Sequence, residues 1–302
     1  MGDGPVLVVG GTGMLGSQVV KELLGRGKKV RALVRPGSDA SRVEAAGAQV
    51  ARGDMMDPAS LSRAMEGADA VITTAAGYTR HRKGDTSATD SEGNTNLVEA
   101  ASRSGIRRFV LTSILTCDQT PQVPHFWHKK LAEDRLEHLG VPFVALRSGA
   151  FLDQVTRFGG DPIDKRRLIW FGSARIPLTF VHTAHLADYL AAAVDIPGME
   201  GRRVDIGWDR AVSMQEIADI AGRLTGKTIR VRSVPAGLLR AAGTVLAPVN
   251  PMAKDMEAMI DWFQTGRYVA DTTLQQQFFG TPPTAEDAVR RLISDLGHSP
   301  EP

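Results

Sequence analysis

Two short stretches of the 302-residue chain hold residue types whose spacing can do chemistry: VLVVGGTGMLGSQVV near the start and PHFWHKK from residue 124. In the first, Gly10, Gly13 and Gly16 follow an apolar run and open a helical pattern. The first glycine permits a tight turn, the second lets the backbone approach a ligand, and the third lets the helix lie close to the strand. The helix N-terminus then offers amide hydrogens to an anion. In this order of strand, turn and helix, the spacing predicts a dinucleotide diphosphate site, with the Thr12 hydroxyl as a further donor. A glycine-rich turn without a ligand is the plainer reading. In the second stretch two histidines and two lysines crowd around Phe126 and Trp127. Residues 125 and 129 share a helix face, so an imidazole can act beside an ammonium, and an imidazole is a ready proton donor near neutrality. The same letters also spell a solvated helix start, with His125 facing water or lying just outside the helix and Lys129 paired with Glu133 one turn on.

The second strand decides which nucleotide fits. A ribose 2′-hydroxyl there wants a carboxylate and a 2′-phosphate wants a cation. The sequence reads VRALVRPGSDASR: Arg35 stands at the strand end, no acid precedes Asp39, and Ser38 and Arg42 supply further donors. NADP(H) is therefore expected in preference to NAD(H), with an exposed loop arginine as the alternative reading of Arg35. The pairs His125/His128 and His182/His185 have helical spacing but no carboxylate or cysteine set to complete a ligand shell, so no metal is expected. The basic run Arg80–Lys83 reads as a solvated loop.

These groups require a frame. Short apolar runs at Val6–Val9, Val30–Val34, Gln49–Ala51, Ala70–Thr73, Phe109–Thr112 and Phe143–Leu146 alternate with helical patterns. That is how a parallel sheet covered by crossover helices reads. Asp57-Pro58 marks a helix start, and Asn94–Ser102 continues the rhythm as a helix. Beyond Gly149 prolines and glycines break the alternation. A helix is expected over Thr183–Val194, strands at Arg203–Ile206 and Ile229–Arg232, a capping box at Ser213–Glu216, and a mostly helical tail from Pro251. The expected fold is α/β: a Rossmann-type doubly wound parallel sheet over 1–150, and a smaller C-terminal α+β substrate-covering region over 151–302 packed on the sheet's carboxyl edge.

Composition sets the outer bounds. Lys and Arg number 36 against 34 Asp and Glu, so a net charge of +2 gives no general field toward nucleic acid or anionic membrane. The single Cys117 excludes an intramolecular disulfide. No apolar run approaches the roughly 20 residues that cross a bilayer, and the N-terminus carries no signal-peptide pattern, so a cytoplasmic protein is expected.

With GGTGMLG, LVRPGS, RGDMMD, DSEGNTNLVEAASRSGIRRFVLTS and KLAEDRLEHLGVPFVALRSGAF in view, the chain resembles the atypical short-chain dehydrogenase/reductases, in the NmrA-like, isoflavone-reductase-like branch. The likeness is close over about the first 150 residues and looser beyond. It implies that Gly10, Thr12, Gly13, Met14 and Leu15 wrap the phosphates, Arg35 takes the 2′-phosphate, and Asp54 with Met55 meets the adenine. Thr74, Ala75 and Ala76 would line the ribose and nicotinamide, and Lys129 would hold the nicotinamide ribose. Asp54 also reads as a turn former. Matching Glu133, Leu136 and Gly140 to the family pattern puts His125 where the family carries its catalytic tyrosine. A slip of one residue would make Lys130 the functional lysine. None of Tyr78, Tyr189 and Tyr268 has a lysine four residues later. Ser113 either contacts substrate, as the corresponding family serine does, or ends its strand through its hydroxyl.

The expectation is an NADPH-dependent oxidoreductase transferring hydride to a small carbonyl, quinone or activated alkene, with His125, Tyr78 or water supplying the proton. The alternative is an NADP(H)-sensing regulator without turnover. A small-molecule substrate is expected as partner, nucleic acid and membrane are not, and the protein is expected to be a monomer or homodimer.

Overall fold

A computed structural model of the protein describes residues 4–77, 88–235, 237 and 251–300. Its main sheet has seven strands in the order β10-β6-β5-β4-β1-β2-β3. These are Val6–Val9 (β1), Val30–Val34 (β2), Gln49–Arg52 (β3), Ala70–Thr73 (β4), Arg108–Ile114 (β5), Phe143–Ser148 (β6) and Arg202–Ile206 (β10). β1 runs parallel to both β2 and β4, with Val6 level with Val30 and with Ala70; β2–β3 and β4–β5 are parallel as well. Every residue of β1 and β4 is buried. Such strands are apolar without alternation because helices cover both faces. The six strands expected in the first half are all present.

The chain runs outward from β1 through β2 to β3, then returns to the other side of β1 as β4. This reversal places a crevice at the carboxyl ends of β1 and β4, where open α/β sheets bind ligands. The helices that matter there are Met14–Gly25 (α1), Ser41–Ala45 (α2), Pro58–Met65 (α3), Asn94–Ser104 (α4) and Pro124–His138 (α5). Asp57 caps α3, accepting from the Ala59 amide, and Pro58 occupies its first turn. A π-helical turn, Thr89–Gly93, leads into α4. The sequence pattern does not announce it.

The chain divides into two compact units, residues 1–147 with 184–204, and residues 148–183 with 205–302. A single cut at 150 thus leaves 184–204 with the second region, whereas these residues belong to the first unit. The reason is visible in their contacts: Arg107 reaches the Val194 carbonyl at 2.9 Å and the Asp195 carboxylate at 3.2 Å, and Arg108 reaches the Ala193 and Ile196 carbonyls.

The second unit holds two short parallel strand pairs, Arg167–Phe171 (β8) with Arg230–Val234 (β11), and Ala150–Phe151 (β7) with Phe180–Val181 (β9). Its aromatic core brings Trp170, Phe180 and Trp208 together, edge-on and tilted, with centroid separations of 6.2 and 5.8 Å. The helix Met214–Thr225 opens as the capping signal predicts, Ser213 accepting from the Glu216 amide. The Glu216 carboxylate does not close the box; it pairs with Arg210. No described helix is long and apolar enough to cross a membrane.

Candidate functional site

The glycine turn owes its shape to sterics. Gly10 has φ +85°, and a Cβ there would lie 2.8 Å from the Thr74 hydroxyl and 2.9 Å from the Ala75 amide. A Cβ on Gly16 would lie 2.1 Å from the Gly10 carbonyl oxygen, so no other residue lets α1 sit this close to the turn. Gly13 differs. It caps α1 in an extended conformation without a side-chain hydrogen bond, and a Cβ would meet only the Gly10 carbonyl oxygen at 3.2 Å. Thr12, Gly13 and Met14 are exposed, while Leu15 is buried beneath them. The result is an uncapped helix N-terminus with no acidic residue in its first turn, a donor set suited to a diphosphate.

Around the turn stand the other nucleotide candidates. Thr74 donates its amide to the Val9 carbonyl at 2.9 Å, which fixes the end of β4 against β1. Ala75 is buried and Ala76 half-buried. Arg35 is half-exposed just past β2. Asp54 is half-buried, and one of its carboxylate oxygens accepts from the Met56 amide at 2.9 Å, the turn-forming role that aspartate has in such loops. Met55 is buried; its carbonyl accepts from Asn96 at 3.0 Å.

Helix α5 brings its first two turns to the same end of the sheet. His125 lies inside the helix, directly after Pro124, and is 7% exposed, its ring edge-on to Phe126 at 4.7 Å. Neither the reading outside the helix nor a solvent-facing His125 survives. Lys129 is 4% exposed, and its ammonium donates to the Ala75 carbonyl at 3.0 Å. Burial pushes its pKa below the usual lysine range, opposed by the charge of Asp90. Asp90 sits on the π-helical turn and accepts from the Gly77 amide at 3.1 Å. Lys130, by contrast, is half-buried and pairs with Asp134 one turn on. The exposed Lys129–Glu133 pair is not what forms.

Glu133 instead anchors the helix. It is fully buried, with Arg147 at 3.0 and 2.7 Å, Arg203 at 3.0 Å, and the Ser113 hydroxyl donating at 2.6 Å. Burial works against the Arg147 guanidinium, but the Glu133 carboxylate outweighs it and raises its pKa further. Burial, with the Glu133 charge behind it, pushes the Cys117 thiol up to about 12, an environment that disfavours the thiolate. The Ser113 hydroxyl, expected either to contact substrate or to end its strand, has no exposed surface and donates to Glu133. Sequence reasoning missed this network because its members come from α5, β5, β6 and β10. The available signal was a glutamate four residues after a lysine on one helix face, with an arginine inside an apolar strand. Tyr78 and the basic run Arg80–Lys83 lie outside the described residues. Asp161, Asp164 and His298 bring ligand-type atoms within 4.8 Å of one another in the second unit, where His298 pairs with Asp161 at 2.9 Å and Asp161 also caps the Ile163 and Asp164 amides.

A parallel sheet whose order reverses beside a glycine turn defines the class of dinucleotide-binding α/β folds. The chain belongs to the NmrA-like family, whose model matches residues 3–280. Among named relatives it is 30% identical over 243 residues to the photosystem II assembly factor Ycf39 of Synechocystis sp., covering 78% of this chain and 72% of that protein. It is 23% identical over 255 residues to an NAD(P)H azoreductase of Xenophilus azovorans, covering 84% and 85%. Its fold is that of the NADPH-dependent quinone oxidoreductase QOR2 of Escherichia coli, solved with NADPH: TM-score 0.77 at 20% identity, covering 95% of this chain and 99% of that one. Relatives of this chain thus include both reductases and assembly factors.

Proposed function

We propose that this protein binds NADP(H) at the carboxyl ends of β1 and β4 and passes hydride to a small carbonyl, quinone or activated alkene. The observation that carries the reading is the meeting of an uncapped, acid-free α1 N-terminus with a buried lysine that reaches the end of β4. Burying an ammonium costs stability, and a ligand that uses Lys129 would account for a fold that keeps it inside. The amides of Thr12, Gly13, Met14 and Leu15, beyond the tight turn at Gly10, would hold the diphosphate, and Arg35 the 2′-phosphate. Asp54 and Met55 would meet the adenine, Thr74, Ala75 and Ala76 the ribose and nicotinamide, and Lys129 the nicotinamide ribose. The bound nicotinamide supplies the hydride; the protein supplies position. His125, one turn before Lys129, would donate the proton. A quinone asks least of such a donor, since its reduced oxygen can be protonated by water, and the absence of a tyrosine four residues before Lys129 favours that acceptor. The second unit is proposed to recognise the substrate.

The same missing tyrosine, with an assembly factor among the relatives, supports a second reading in which the protein senses NADP(H) without turnover. Steady-state NADPH oxidation against a panel of quinones decides between them. Turnover that Lys129→Ala abolishes is the expected result. Tight NADPH binding by calorimetry without turnover on any acceptor selects the sensor, and no binding of either oxidised or reduced NADP ends both.

A further inference from the structure

A second guanidinium stands beside Arg35. Residues Arg35 to Ser38 form a turn, closed by the Ser38 amide donating to the Arg35 carbonyl at 3.0 Å, with Pro36 leading and Gly37 at φ +76°. This is the arrangement of a type II turn, in which proline and glycine take the two central positions. Arg52, the last residue of β3, is level with Val34 in the parallel register and so lies across from the residue before the turn. One of its terminal nitrogens, Nη1, donates to both ends of the turn, to Ser38 at 2.8 Å and to Arg35 at 3.4 Å. Arg52 is exposed, and no acidic side chain is bonded to it among the described residues. The carboxylate that follows the turn, Asp39, accepts from the Ser41 amide and hydroxyl at 2.9 and 3.0 Å, and those bonds, with the charges of Arg42 and Arg52 behind them, hold it below the usual carboxylate range.

We infer that Arg52 is a specificity-determining residue for a phosphate on the adenosine 2′ position, acting with Arg35. It would do so in two ways. One nitrogen fixes the turn that carries Arg35 and the Ser38 hydroxyl, and the rest of the planar fork presents donors on the outer side, where a phosphate suits a guanidinium. Nothing in the strand-end rule for the second strand points to it, because Arg52 ends the third. The inference rests on the NADP(H) reading above and names a residue that the reading leaves out.

The test is calorimetric titration of the full-length protein, wild type and Arg52→Met, with NADPH and with NADH, alongside thermal melts that establish folding. The wild type is expected to prefer NADPH, and the variant to lose roughly tenfold in NADPH affinity while NADH binding changes less than about twofold. Arg52→Lys keeps the charge but not the fork, and is expected to recover part of the loss. Equal weakening of both nucleotides makes Arg52 a strut for the turn and overturns the inference. So does a preference that survives unchanged in Arg52→Met. A wild type that binds both nucleotides equally removes the NADP(H) reading, and this inference with it.

Discussion

The glycine turn and the start of α5 meet at the same end of the sheet but are built on opposite principles. At Gly10 and Gly16 the site exists because side chains are missing: a single methyl would lie 2.1 to 2.9 Å from backbone atoms. At α5 it exists because charged side chains are forced inside, Lys129 at 4% exposure and Glu133 at none. A backbone site is a local steric matter. A site made of buried ions holds only if partners arrive from distant parts of the chain, here Arg147 and Arg203. The first half of the site should tolerate changes anywhere but in its own few residues, while the second depends on the whole sheet.

The largest effect should come from removing the anchor of the second half. Glu133→Ala leaves two guanidiniums without their shared carboxylate, one of them only 10% exposed, and should cost about 3–5 kcal/mol in urea unfolding. Lys130→Ala, three residues away on the same helix, breaks only a partly exposed pair and should cost no more than about 0.5 kcal/mol. If the two variants unfold alike, the contrast between buried and surface ions on α5 fails.

The next effect tests the first half within itself. Gly16→Ala drives a methyl into the Gly10 carbonyl and should cost about 1–3 kcal/mol, or more if the turn cannot move. Gly13→Ala meets one atom at 3.2 Å and should leave the melting temperature nearly unchanged while weakening NADPH binding, because the methyl stands where the backbone must approach the phosphates. Calorimetry and thermal melting on both variants separate shape from the proposed ligand approach.

The smallest effect is one of pH. Burial lowers the pKa of Lys129 in the folded state, so between that value and the unfolded value the unfolded chain binds more protons and stability rises with pH. Lys129→Met should therefore be more stable than the wild type at neutral pH, and its advantage should shrink as pH climbs toward about 10.4. Unfolding both proteins in urea from pH 7 to 10 measures this. A gap that stays constant would mean that Lys129 titrates as an ordinary exposed lysine.

Much of this molecule was legible before its structure. The apolar runs at Val6–Val9 and Ala70–Thr73 read as doubly covered strands, and the glycine spacing reads as a tight turn into a helix, because both constraints act within a few residues. Local sequence therefore determined the parallel sheet, the order of its elements and the position of the glycine turn. It left open whether His125 and Lys129 face water or the interior and whether Ser113 meets a substrate or ends its strand, and it drew one boundary at 150 where 184–204 cluster with the first unit. Those choices belonged to tertiary structure, since the burial of a charge is decided by which distant groups compensate it, and a run of letters along one helix does not record what the sheet brings to meet it.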